Sequence, residues 1–272
     1  MGEARPAATA PFSSQRVLGM RVDAVDPART LSAVEASVAT GRRVYVCFAN
    51  VHAVMEARAD REARRAYERS DLTVADGMPL VWLGRRRGFS GIARVYGPDF
   101  TLLACERAAA AGWSVFFYGA APGVADRMAE RLRARFPALR VAGTLSPPFG
   151  ALRPDEDAAL VRTVNAARPD VVFVGLGCPR QEKWMASHRA AIEAPVLLGV
   201  GAAFDFHAGE VRQAPRWMMK AGLEWLYRLS REPRRLWRRY LVLNPLFIFG
   251  LAREALFGPR PLPGDAGGDG TV

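Results

Sequence analysis

Between residues 43 and 200 the chain alternates short apolar runs with longer helical ones, and few folds accommodate that rhythm. The apolar runs are "RRVYVCFAN", "DLTVADG", "WSVFFYGA", "LRVAGTL", "DVVFVGLG" and "APVLLGVG". Between them lie "HAVMEARADREARRAYERS", "PGVADRMAERLRARF", "PDEDAALVRTVNAA" and "RQEKWMASHRAAI", which have helical composition. Strands that are apolar almost throughout must be covered on both faces, as in a parallel sheet with helices above and below. We therefore expect a single α/β, Rossmann-like domain over residues 16–215. A basic helical appendage follows over 216–257, and residues 1–15 and 258–272, rich in Gly, Pro and Ala, read as disordered.

In such a sheet ligands bind beyond the carboxyl ends of the strands, so the residues found there are the candidates. The first strand ends in Asn50, the second in Asp76 and the third in Gly119. The fifth runs into Gly175, Gly177, Pro179, Gln181 and Glu182, and the sixth into Gly199, Gly201, Asp205 and His207. Each has a structural alternative: Asn50 as a helix cap, Asp76 as a turn residue, the glycines as tight turns. His207 falls in the cleft sequence, whereas His52 and His188 read as helix-surface residues. Neither G-x-G completes a dinucleotide fingerprint, and no phosphate-loop, zinc-protease or nucleophile-elbow motif occurs. The acidic triplet Asp155–Asp157 follows Pro154 at a helix start, where acidic residues are ordinary, so no metal site is expected.

The net charge of +11 is concentrated. From Arg212 to Arg239 nine Lys and Arg stand against Glu224 and Glu232, which calls for an anionic partner. Three cysteines without C-x-x-C spacing read as reduced thiols. The N-terminus lacks a signal-peptide core, and the longest apolar run, "LVLNPLFIFGLA", is too short to span a bilayer.

Seven segments in order, "ADGMPLVW", "RVYGPDF", "SPPFG", "VGLGCPRQEKW", "GVGAAFDFHAG", "RQAPRW" and "GLEWLYRLSREPRRLWRRY", resemble the WecG/TagA/CpsF family of bacterial glycosyltransferases over about residues 17–255. The resemblance implies an inverting, metal-independent, membrane-associated enzyme without cofactor. It would move a hexose such as N-acetylmannosamine from a UDP-sugar to a sugar on a polyprenyl diphosphate. It implies Asp76 as catalytic base, with Asn50, Arg94 and Gln181 in substrate binding and Arg228, Arg235 and Arg238 over the diphosphate. Phe48 departs from the pattern, since many members carry Thr there.

The chemistry agrees with that assignment. Inversion needs a base on the acceptor hydroxyl, and a departing diphosphate needs arginines and helix N-termini if no metal serves it. Asp205 is a candidate acceptor for ribose or uracil. In the second half of the appendage Arg234, Arg235, Arg238 and Arg239 fall on one helical arc, with Leu236, Trp237, Tyr240 and Leu241 on the other. A basic helix of this kind ordinarily packs its apolar side on the domain. Here the apolar run that follows and the interfacial Trp and Tyr favour an anionic membrane surface instead. Nucleic acid is not expected as a partner, because no reading module accompanies the charge. The expected location is the cytoplasm, peripherally on the inner face of the cell membrane, and homo-oligomerisation stays open. Two rival functions are a NAD(P)-binding oxidoreductase and a non-catalytic membrane scaffold of the same fold.

Overall fold

The computed structural model describes residues 12–148, 150 and 152–258. It opens with an antiparallel hairpin, β1 (Ser14–Val17) and β2 (Met20–Asp23), and helix α1 (Pro27–Thr40). Six further strands form one parallel sheet in the order β4–β3–β8–β7–β5–β6. These are β3 (Val44–Ala49), β4 (Leu72–Ala75), β5 (Ser114–Gly119), β6 (Arg140–Leu145), β7 (Val171–Gly175) and β8 (Val196–Gly199). Each is one of the six apolar runs. Every residue of β3, β4, β5 and β8 is buried, while β6, at the edge, is partly exposed.

Side chains alternate across the sheet with the period of two that a strand imposes. Tyr45, Cys47, Phe116 and Tyr118 enter one core; Val44, Val46, Phe48, Val115 and Phe117 enter the other. The first core is covered by the hairpin and by α2 (Val51–Ala59), α3 (Arg61–Arg69), α4 (Met78–Arg86), α7 (Pro154–Ala166) and α8 (Arg180–His188). The second is covered by α1, α5 (Gly97–Ala111), α6 (Val124–Arg135) and α9 (Ala203–Ala208).

The single helix expected over residues 52–70 is two, because Asp60 caps the second by accepting from the N–H groups of Glu62 and Ala63 at 2.8 and 3.1 Å. The boundary placed at residue 15 falls inside β1. There Gln15 is buried and donates to the Leu80 carbonyl at 2.9 Å. Buried Asp23 accepts from the Thr73 N–H at 2.8 Å, so the hairpin satisfies part of the otherwise open β4 edge. The remaining residues called disordered, 1–11 and 259–272, lie outside the described ones. All three cysteines are free thiols.

The appendage consists of α10 (Arg216–Lys220), α11 (Glu224–Arg231), α12 (Pro233–Trp237), a π-helical turn over Arg238–Val242, and α13 (Leu243–Phe257). Pro245 cannot donate to the Leu241 carbonyl and its ring crowds that group. The π turn immediately upstream is where the helix takes up that misfit. From Pro233 to Phe257 the helical path is continuous, and it is long and apolar enough to cross a membrane by length and composition. This corrects the expectation that no segment reaches that length; the sequence run was interrupted by Asn244 and Pro245, but the helix is not.

The apolar arc is only partly covered. Leu236 and Phe247 are buried, yet Trp237, Leu241, Leu246, Ile248, Phe249, Leu256 and Phe257 are all exposed. Arg235, Arg238 and Arg239 reach the cleft beside buried Leu236, while Arg234 is exposed and Arg235 and Arg238 keep much of their surface in solvent.

Candidate active site

Chain order places the cleft. From β5 the chain moves outward to β6, and from β7 it moves the other way to β8. Their carboxyl ends therefore diverge, leaving the crevice that open parallel sheets use for ligands. A cleft of about 830 Å³ occupies this edge. It is lined by residues that follow each of the six strands: Asn50, Asp76, Ala120, Pro147, Gly175 to Cys178, and Gly199 to Ala202.

At its floor the backbones come very close. A Cβ on Gly119 would lie 2.6 Å from the Gly175 carbonyl carbon, and one on Gly175 would lie 2.4 Å from the Phe204 ring. Gly119 also has φ of +130°, where only glycine is comfortable. Its role is this crossing beneath the cleft; Ala120 and Ala121 line the wall instead.

Asp76 follows β4 and reaches the cleft from one end. Its Oδ1 accepts from the Gly97 N–H at 2.9 Å, and its Oδ2 faces the Asn50 amide at 3.5 Å. Asn50 serves both readings made of it, since its Oδ1 also caps α2 through the Ala53 N–H at 3.2 Å. Burial holds the Asp76 carboxyl above the usual carboxylate range; Arg94 opposes this and Glu224 adds to it. A carboxylate raised in this way is a better proton acceptor, as a general base requires.

Arg94 does not line the main cleft. It stands behind Asp76, with Nε donating to the Asp76 carbonyl at 2.6 Å and Nη2 to Glu224 Oε2 at 2.5 Å, and its guanidinium lies 4.1 Å above the Tyr96 ring. The Tyr96 hydroxyl donates to the other Glu224 oxygen at 3.1 Å. Glu224, at the start of α11, thus ties the appendage to the loop that holds Asp76. It was not among the expected residues. The available signal was one of only two acids in a stretch with nine basic groups.

Gln181 and Glu182 divide in a way their adjacency hides. Gln181 lines the cleft, with Nε2 donating to the Gly199 carbonyl and to Glu182 Oε1, each at 2.8 Å. Both amide hydrogens are spent inward, and its buried Oε1 has no partner among the described residues. Glu182 lies wholly beneath, and burial raises its carboxyl to about 7. It is a support for Gln181 rather than a wall of the cleft. Pro179 is likewise off the wall, in the N-cap position of α8.

Asp205, Arg228, Arg235 and Arg238 line the cleft, joined by Arg180 and Arg239. The Nε atoms of Arg228 and Arg239 are buried without hydrogen-bond partners among the described residues. Five arginines against the carboxylates of Glu56, Asp76, Asp205 and Glu224 make a site suited to a polyanion.

The histidines need correction. His52 is not a surface residue: it lines the cleft, and burial, with Arg239 nearby, lowers it to about 4, so it is neutral at pH 7. His207 turns away from the cleft and bonds the Pro98 carbonyl through Nε2 at 2.9 Å. His188 is tucked against Trp184, rings 4.6 Å apart, and pairs with Asp157 at 2.9 Å. Asp157 is thereby occupied and Glu156 caps α7 through the Arg153 N–H, which accounts for two of the three acids of the triplet. Phe48, where the resemblance implies Thr in many members, lines the cleft and packs on Phe100 at 5.5 Å between ring centres.

A parallel sheet with an arginine-lined cleft and a raised carboxylate at a strand end suits an enzyme that transfers a group. The model of the glycosyl transferase WecG/TagA/CpsF family matches residues 15–261, and the chain belongs to that family. It is a glycosyltransferase. Among its relatives is a protein of Bacillus spizizenii, 30% identical over 217 residues, covering 80% of this chain and 82% of the relative. A second, from Bacillus subtilis, is 30% identical over 206 residues, covering 74% and 78%. Both are named N-acetylglucosaminyldiphosphoundecaprenol N-acetyl-beta-D-mannosaminyltransferase. Family membership leaves the oxidoreductase and scaffold alternatives without support.

Proposed function

We propose that this enzyme transfers a hexose of the N-acetylmannosamine type, with inversion, from a UDP-sugar to a sugar on a polyprenyl diphosphate, in the assembly of a cell-surface polysaccharide. The observation that carries the reading is Asp76, a carboxylate raised by burial and held by the Gly97 N–H at the end of an arginine-lined cleft. The acceptor and the transferred sugar are those in the relatives' names.

In the proposed mechanism Asp76 takes the proton of the acceptor hydroxyl as its oxygen attacks the anomeric carbon. The bond to the UDP oxygen breaks on the opposite face, which inverts the configuration. The leaving diphosphate gathers negative charge, and Arg228, Arg235 and Arg238 lie in the cleft to meet it. On this reading they serve where many transferases use a divalent ion, and the reaction proceeds without added metal. Gln181 Oε1, which can only accept, would meet a hydroxyl or N–H of the donor. The exposed apolar residues of α13 would rest in the acyl boundary of an anionic membrane, where the acceptor resides.

The test is UDP release from a panel of UDP-sugars, with and without N-acetylglucosaminyl-diphosphate lipid, and with and without EDTA. Acceptor-dependent release from one donor that survives EDTA is expected. Asp76→Asn should lower that rate at least 100-fold by the usual worth of a general base, while UDP binding persists. Turnover unchanged in Asp76→Asn would remove this carboxylate from the mechanism.

A further inference from the structure

Beside Asp76 the cleft opens into a second hollow of about 290 Å³. The two share Asn50, His52, Asp76, Glu224, Arg228 and Arg239, so Asp76 stands where they meet. Their walls differ. The larger hollow is rich in glycine and arginine, whereas the smaller adds Met78, Trp82, Met219, Leu223, Trp225 and Tyr240. It lies between α4 of the sheet domain and the appendage, and the tip of Trp82 sits against Gly222, where an added Cβ would come within 2.6 Å of the ring.

We propose that this smaller hollow is the acceptor-sugar site, with Trp82 and Trp225 as the surfaces on which the pyranose ring rests. The inference depends on the transfer reaction proposed above and names where its second substrate binds. Displacement with inversion requires the acceptor oxygen and the leaving UDP on opposite sides of one carbon. Two hollows joined at a single base supply that arrangement. The smaller one has room for one hexose and not for a nucleotide sugar. Indole rings present flat apolar faces that match the C–H faces of a pyranose, and Trp225 and Tyr240 stand 6.0 Å apart between ring centres.

The exit is marked as well. Tyr240 and Asn244 line the hollow, and Ile248, one turn beyond Asn244 on the same helical face, is 66% exposed. A ligand with a sugar head at Trp82 and an apolar tail can therefore pass along Tyr240 and Asn244 onto the exposed apolar surface of α13. Arg239, which lines both hollows, is placed to meet phosphate on that path.

The experiment measures UDP release by the full chain with UDP-N-acetylmannosamine and a short-chain N-acetylglucosaminyl-diphosphate lipid, and UDP affinity by titration. Trp82→Ala and Trp225→Ala should each raise the acceptor KM about tenfold or more, with UDP affinity within twofold of the parent protein. Trp82→Phe, which keeps a ring against Gly222, should restore most of the acceptor affinity. UDP affinity falling in step with the acceptor's would assign the hollow to the donor and overturn the proposal, as would variants that leave the acceptor KM unchanged. A parent protein that binds UDP but transfers to no lipid-linked sugar would remove the transfer reading itself, and this inference with it.

Discussion

Replacing Glu224 by Gln separates the two tasks that its carboxylate performs. The Arg94 and Glu224 side chains are 18% and 14% exposed, joined at 2.5 Å, with Tyr96 as a further donor. Breaking a fully buried pair from one side costs about 3–5 kcal/mol. The amide keeps one acceptor oxygen, for Arg94, but loses the charge and the acceptor that the Tyr96 hydroxyl uses, so about 2 kcal/mol is expected, within the range for hydrogen bonds to charged groups. That is roughly a 30-fold shift in the docking equilibrium of α11. Arg228 stands one turn further along α11 and lines the cleft, so it should leave with the helix. Hydrogen exchange across residues 224–231 should accelerate by about that factor, and transfer should slow.

The second effect has a definite sign. Burial raises the Asp76 carboxyl most; Arg94 lowers it and Glu224 raises it. Removing the negative charge of Glu224 lets Asp76 ionise at lower pH, so the acidic limb of the kcat/KM profile should move downward. Arg94→Met removes the opposing charge and should move that limb upward. Loss of folding or docking alone would reduce both rates without moving the limbs in opposite directions. Limbs that move together, or stay fixed, would refute the electrostatic coupling of Glu224 and Arg94 to Asp76.

Two further expectations concern stability. Gly119→Ala places a methyl against the Gly175 backbone at a φ of +130°, whereas Gly112, with φ of +72°, has nothing among the described residues within 4 Å of an added Cβ. Thermal unfolding should show a loss of several kcal/mol at Gly119 and about 1 kcal/mol for Gly112→Ala; equal losses would contradict the close crossing of β5 and β7. Glu182 is raised from 4.5 to about 7 by burial, so the folded state holds a proton that the unfolded chain has released between those values. Stability should therefore fall as pH rises from about 4.5 to about 7, by up to about 3 kcal/mol, and stay low above it. Urea midpoints at pH 5 and pH 8 should show that fall relative to Glu182→Gln, in which it is absent.

The reach of the sequence follows from the range of the forces involved. The six strands were legible because a strand buried on both faces has almost no polar positions, and "DVVFVGLG" admits no other reading. The polar strand ends were legible for the same reason: Asn50, Asp76 and Gln181 interrupt apolar runs where a parallel sheet presents its edge. The family segments "ADGMPLVW", "VGLGCPRQEKW" and "GVGAAFDFHAG" lie on those same ends. Residues 14–23 were missed in part, because a two-stranded hairpin with alternating polar residues gives a weak signal until Asp23 is seen against the β4 edge.

What the tertiary structure decided was direction and partnership. Along residues 234–241 the sequence divides arginines from apolar groups, yet nothing local says which side meets the protein. The tertiary structure divides both sets: Leu236 is buried while Trp237 and Leu241 stay outside, and Arg235, Arg238 and Arg239 reach the cleft while Arg234 does not. His52 becomes a neutral cleft residue because folding buries it, with Arg239, 187 positions later in the chain, adding to the effect. Glu224 finds Arg94 across 130 residues. Periodicity encodes burial, which each segment carries in itself. The choice of a charge's partner depends on the meeting of distant segments, and that is settled only when the chain has closed.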